Sequence, residues 1–179
     1  MTFDGLNLEH PVRKQRMALF VSGSGSNAER IMERFQDHPN ATVAFVGCNR
    51  PPEKAGIYQR TKQFGLTTTQ FNREQLNQGE VTQMLQEAEV DWVVLAGFLL
   101  RIPLEMVEVF NGRMVNIHPA LLPKFGGKGM FNNHVHEAVA LSKETETGMT
   151  VHWVNAEYDD GDILFQASCP VELGDTAET

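Results

Sequence analysis

Short apolar runs alternate with amphipathic stretches along the whole chain. Met17–Val21 reads as a buried strand, followed by a helix over Asn27–Phe35 with Ile31, Met32 and Phe35 on one side. Val43–Gly47 is a second predicted strand, Ala55–Phe64 a helix and Thr67–Phe71 a short strand. Val81–Ala88 has helical spacing, and Trp92–Ala96 carries the most continuous strand pattern. Pro103–Phe110 begins with proline, which suits a helix N-terminus because the missing N–H has no intrahelical partner there. Met114–Ile117 is another strand, His134–Leu141 a helix, and Thr150–Val154 and Ile163–Ala167 are late strands. Continuous apolar strands separated by helices of this length predict a mostly parallel sheet with helices on both faces. The expected architecture is one doubly wound, Rossmann-like α/β domain over residues 16–179, preceded by a flexible leader over 1–15.

With 179 residues, 41% apolar and 21% charged, the chain has the make-up of a single globular domain rather than a disordered one. No run approaches the roughly 18 apolar residues of a membrane span. Met1–Gln15 has acids and a proline where a signal peptide would have an apolar core, so a cytoplasmic protein is expected. Cys48 and Cys169 show neither metal-ligand nor redox spacing and read as two reduced thiols. A formal net charge of −8 argues against a nucleic-acid-binding surface. It also means that an anionic substrate has to be attracted locally, against the overall field.

Ligands of open parallel sheets sit beyond the carboxyl ends of the strands, and two sequence features fall there. Ser22-Gly23-Ser24-Gly25-Ser26-Asn27 directly follows the first strand and opens a helix. Its glycines let several N–H groups converge beside a helix N-terminus, which makes an anion site without a lysine. A plain strand-to-helix turn explains the same residues. The loop lacks the Gly-Lys-Ser/Thr ending of a Walker loop and the third glycine of a dinucleotide fingerprint. The second feature is Asn116-Ile117-His118-Pro119-Ala120-Leu121-Leu122-Pro123. Strand alternation puts Asn116 and His118 on one side, and an amide beside an imidazole suits a carbonyl that gains negative charge. A structural histidine at a strand end is the competing reading. The acidic turn Ala156–Asp162 is either a solvated loop or the source of a carboxylate that holds His118 as imidazolium.

Together, Val21–Asn27, Leu95-Ala96-Gly97-Phe98, Asn116–Lys124 and Tyr158-Asp159-Asp160-Gly161-Asp162 resemble the phosphoribosylglycinamide formyltransferases, a branch of the folate formyltransferase superfamily. The resemblance runs in order from about residue 16 to the end. It implies formyl transfer from 10-formyltetrahydrofolate to the glycine amine of glycinamide ribonucleotide, in de novo purine synthesis and without a metal. Asn116, His118 and Asp159 would be catalytic, with His118 and Asn116 stabilising the formyl oxygen. Gly25, Ser26 and Asn27 would hold the ribonucleotide phosphate. Leu99, Leu100, Arg101 and Ile102 would line the folate pocket with Val107 packed nearby, and backbone around Asn155–Asp159 would bind the pterin. Arg73 lies near where the family has an arginine contacting an anionic ligand. Nucleic acid and membrane are not expected partners, and a monomer or homodimer is.

Three departures from the family pattern stand out. Phe98-Leu99-Leu100-Arg101 has leucine where many members have arginine, which assigns the folate tail to Arg101. The stretch 125–133 is longer and richer in glycine than the usual loop and reads as a lid. The capping-box spacing of Asp175 and Glu178 announces a helix, and the family normally continues into a C-terminal helix that this sequence lacks. His134 and His136 have no evident third metal ligand and read as structural. His152 is assigned to packing rather than to orienting Asp159, and Trp92 and Trp153 are assigned to the core. A formyl-folate hydrolase, a methionyl-tRNA formyltransferase-like enzyme and a non-catalytic phosphate- or nucleotide-binding module are the alternatives. The first two normally carry additional domains that are not evident here.

Overall fold

From Met17 to Val21, every residue of strand β1 (Gln15–Val21) is buried. Successive strand side chains point to opposite faces, so such a run needs cover on both. Met17, Leu19 and Val21 pack with Ala28 and Met32 of α1 (Ser26–Phe35) and Ile57 of α2 (Ile57–Gln63). Ala18 and Phe20 face the other way. They meet Leu76 of α3 (Arg73–Asn77), Val81 and Leu85 of α4 (Glu80–Glu87) and Met106 of α5 (Leu104–Val109). The computed structural model in which these contacts occur describes residues 13–127, 129–130, 133–142 and 144–178.

The remaining strands are β2 (Ala41–Cys48), β3 (Thr68–Gln70), β4 (Trp92–Ala96), β5 (Met114–His118), β6 (Glu146–Trp153) and β7 (Ile163–Pro170). They form one sheet in the order β3-β2-β1-β4-β5-β6-β7. The first five run parallel, whereas β6 and β7 join as antiparallel strands. The chain moves outward from β1 to β3 and then returns to lay β4 on the other flank of β1. That reversal parts the connections leaving β1 and β4 and opens a crevice at their carboxyl ends. The architecture is the doubly wound, mostly parallel one expected.

Differences from the sequence reading are local. Helix α3 was not expected. Its capping box, with Asn72 accepting from Gln75 N–H and the Gln75 side chain accepting from Asn72 N–H, is a legible start signal that the short apolar content masks. The helix expected over Ala55–Phe64 starts at Ile57, after a 3₁₀ turn over Pro52–Lys54. Gln15 already belongs to β1, and Arg13 pairs with Asp91 at 2.6 Å; residues 1–12 of the expected leader lie outside the described residues. Trp92 and Trp153 are half-buried and stack on each other with centroids 6.1 Å apart, so they are not core residues. Asp175 Oδ2 accepts the N–H of Glu172 behind it at 2.8 Å, and residues 171–178 are not helical. The capping-box reading of Asp175 is therefore not realised there.

Phe20 is fully buried, and its ring lies 5.3 Å from Phe71 and 5.2 Å from Phe98. Phe20→Ala is expected to lower unfolding stability by about 3–5 kcal/mol, read from urea denaturation. A loss under about 1 kcal/mol would contradict the two-faced packing of β1.

Candidate active site

The crevice is a cavity of about 1150 Å3. One wall is the loop after β1. Gly25 sits there at φ 77, and a Cβ on it would lie 2.7 Å from Ile57 Cδ1, so both the left-handed turn and the close helix α2 demand glycine. Arg60 braces the loop from behind: Nε donates to the Ser24 carbonyl at 2.8 Å, and the guanidinium also pairs with Glu29. Gly25, Ser26 and Asn27 line the cavity at the N-terminus of α1, where unpaired amides carry partial positive charge. The opposite wall is the segment after β4, where Leu99, Leu100, Arg101 and Ile102 all face the space.

Asn116 and His118 project from the end of β5, and antiparallel pairing puts His152 opposite Asn116 and Thr150 opposite His118. Asp159, from the loop between β6 and β7, closes the group. Its Oδ2 lies 3.5 Å from His118 Nδ1 and accepts the Gly127 N–H at 2.9 Å. Its Oδ1 accepts from Asn116 Nδ2 at 3.2 Å and lies 3.5 Å from His152 Nε2. The three titratable side chains are nearly sealed from solvent, at 3% exposure for each histidine and 10% for Asp159.

Proton positions follow from the partners. The Phe125 carbonyl, which can only accept, lies 2.8 Å from His118 Nε2, so that nitrogen carries a proton. His118 Nδ1, on the other side of the ring, faces the Asp159 carboxylate. His152 Nδ1 donates to the Trp153 carbonyl at 2.8 Å, which leaves Nε2 to accept from Asn116 Nδ2 at 3.0 Å. Burial pushes the Asp159 carboxyl up. The Gly127 N–H and the close approach of His152 and His118 together outweigh that and hold it below the usual carboxylate range.

Most of the residues singled out from sequence thus meet in one cavity. Arg73 does not: it is exposed at the start of α3 and outside the cavity wall. Val107 packs against the core cluster around Phe20 behind Ile102. Arg101 lines the cavity, but its Nε donates to the Ala156 carbonyl at 3.1 Å and its Nη2 lies 3.4 Å from Glu157 Oε1, so it spans two lips of the crevice. His152, assigned to packing, is buried but also touches both Asn116 and Asp159; its alternation with Thr150 along β6 was the available signal. Thr150 was missed entirely. Its hydroxyl donates to Ala120 O at 2.6 Å and accepts from Leu122 N–H at 3.0 Å, pinning the turn that follows His118. Of the expected lid, residues 125–127 and 129–130 edge this site, whereas 128, 131 and 132 lie outside the described residues. Within the described residues, no group of His, Cys, Asp and Glu is arranged to hold a metal ion.

Residues 15–179 match the formyl transferase family. The chain is 40% identical over 176 residues to the chloroplastic phosphoribosylglycinamide formyltransferase of Arabidopsis thaliana, an alignment covering 94% of this chain and 60% of that protein. It is 38% identical to the chloroplastic enzyme of the same name from Vigna unguiculata, over 93% of this chain and 55% of that one. The chain therefore spans rather more than half the length of these relatives. Among solved structures, the phosphoribosylglycinamide formyltransferase of Bacillus halodurans superposes with a TM-score of 0.80 at 33% identity, covering 92% of this chain and 84% of the other.

Asp159 adopts φ 52, a left-handed conformation that asparagine tolerates well, so Asp159→Asn removes the charge without backbone strain. A carboxyl whose folded pKa is depressed contributes stability above its unfolded pKa, near 4, and loses it as pH falls through the folded value. The wild-type chain is expected to lose urea resistance over that acid range, and Asp159→Asn to lack that component. Superimposable stability profiles between about pH 5 and 2 would show that Asp159 gains nothing from its partners.

Proposed function

The chain belongs to the formyl transferase family, and we propose that it moves the formyl group of 10-formyltetrahydrofolate to the glycine amine of glycinamide ribonucleotide, a step of purine synthesis. The observation that carries this reading is the position of Asn116, His118 and Asp159 between two chemically different halves of one cavity. At about 1150 Å3 the cavity exceeds the space of roughly 300–1000 Å3 usual for one small ligand. The half formed by Gly25, Ser26 and Asn27 offers backbone amides and a helix N-terminus, which suit a phosphate monoester. The half formed by Leu99, Leu100 and Ile102 is apolar and suits a flat ring system. Backbone at 155–159 supplies its polar rim, and Arg101 supplies a cation for an acidic tail.

The chemistry this arrangement serves is direct acyl transfer. The neutral amine attacks the formyl carbon, a new C–N bond forms, and negative charge develops on the formyl oxygen. The C–N bond to the folate nitrogen then breaks, and the proton lost by the amine ends on that nitrogen. His118 Nε2–H faces the developing oxyanion and lies within reach to relay the proton, and the Asn116 amide joins it by turning one N–H away from its resting acceptor. An incoming carbonyl oxygen reaches His118 Nε2 by replacing the Phe125 carbonyl, so the backbone at 125–127 has to give way. Gly127 and Gly129, both at φ 94 with open space around them, provide that freedom.

All three members of the trio come from one chain, so a monomer suffices for the chemistry and a homodimer is compatible with it. No helix among the described residues is long and apolar enough to cross a membrane. Cys48 and Cys169 are both free thiols, as suits a reducing compartment; we read this as the cytoplasm or, by likeness to the two plant relatives, a plastid. The deciding measurement follows formyl-folate turnover spectroscopically with and without glycinamide ribonucleotide. Turnover is expected to depend on the ribonucleotide and to fall about 10²–10³-fold in His118→Ala. Ribonucleotide-independent turnover would make the chain a hydrolase, and near-normal rates in His118→Ala would remove the trio from the chemistry.

A further inference from the structure

Ser22 does not face the cavity, yet it joins two of the loops that shape it to the loop after β2. It is the first residue beyond β1 and only 1% exposed. Its backbone N–H donates to the carbonyl of Gly97, the first residue beyond β4, at 3.0 Å. Its Oγ accepts the Leu99 N–H at 2.9 Å and donates to Oδ1 of Asn49, the first residue beyond β2, at 2.5 Å. The hydroxyl has one hydrogen, and Asn49 Oδ1 can only accept, so that hydrogen is committed and the lone pairs are left for Leu99. The three groups form a directed chain, Leu99 N–H to Ser22 O–H to Asn49 O, in which each bond polarises the next.

We propose that Ser22 is a positioning residue that couples the two halves of the cavity: it locks the 97–102 wall to the anion loop, so that filling the loop presets the wall. This rests on the reading that residues 23–27 take a phosphate. The segment has the mechanics for it. Gly97 sits at φ 75 with open space around it, a hinge at one end, and Pro103 caps α5 at the other. Between them, Ser22 supplies both tethers: its N–H to the Gly97 carbonyl and its Oγ to the Leu99 N–H. An anion on the loop stiffens Gly23–Asn27, and the tethers pass that restraint to Leu99 and so to Leu100, Arg101 and Ile102. A serine that merely filled space would stabilise the fold without linking the two walls.

The test uses inorganic phosphate as the probe and hydrogen–deuterium exchange of the 97–102 peptide as the readout, on wild type and Ser22→Ala. Phosphate is expected to slow exchange of that peptide at least about fivefold in wild type, and clearly less in Ser22→Ala, which keeps the N–H tether to Gly97 but loses the one to Leu99, while still protecting 23–27. Equal protection of 97–102 in both proteins, or none in a wild type whose 23–27 segment is protected, overturns the coupling alone. Absence of any protection at 23–27 overturns the phosphate reading of the loop and the coupling with it. Should Ser22→Ala fail to fold, Asn49→Ala removes the acceptor that orients the hydroxyl, and the same loss of protection at 97–102 is expected; full protection there overturns the proposal. In assays of formyl transfer, Ser22→Ala is expected to raise KM for both substrates more than it lowers kcat. A purely structural role predicts a lower thermal midpoint with both parameters unchanged.

Discussion

Strand β1 has to be buried on both faces and hydrogen-bonded on both edges, and most of the molecule's form follows from meeting that demand. Its alternation sends Met17, Leu19 and Val21 to one helical layer and Ala18 and Phe20 to the other. Its edges take β2 on one side and β4 on the other, which the chain can achieve only by reversing direction across the sheet. The connections leaving β1 and β4 consequently diverge, and the crevice between them is a by-product of strand order. Ser22 sits at that divergence, where its N–H and hydroxyl keep the two departing segments together.

Charge imposes the second constraint. For the proposed anionic substrates, a chain of net charge −8 has to create positive potential locally. The half of the cavity proposed to hold phosphate offers backbone dipoles at the start of α1, which need no lysine. The reacting centre instead buries a carboxylate. Asp159 is tolerated at 10% exposure because Asn116, Gly127 N–H and two histidines surround it. In the proposed reaction a buried negative side chain thus orients the imidazole that meets the developing negative charge.

How much of this was legible in the sequence depended on whether the signal was local. β1, α1 and β4 announce themselves through apolar runs and a Gly-Ser turn, and Asn116 and His118 through alternation in one strand. Asp159 was one of several acids in a turn, and only family resemblance separated it from Glu157, Asp160 and Asp162. What distinguishes it physically is tertiary: a left-handed φ of 52 and the approach of β6, neither of which is written in adjacent residues. His152 and Thr150 escaped for the same reason, because their roles depend on register with β5. Arg73, suggested by family resemblance, falls on a helix start that faces solvent, outside the cavity wall.

The resting hydrogen bonds of the site also say something about how it works. Every donor of the trio already has an acceptor: His118 has the Phe125 carbonyl and Asp159, and Asn116 has Asp159 and His152. Buried donors left unpaired would each cost about 1–3 kcal/mol, so a site that waited with open donors would weaken the fold that holds it. In the proposed reaction the Phe125 carbonyl is a stand-in for the formyl oxygen, beside glycines with open space around them. An oxygen carrying developing charge is a better acceptor than a neutral backbone carbonyl, so the exchange favours the transition state over the resting arrangement. That difference is the form catalytic stabilisation takes when binding is selective for charge rather than for shape.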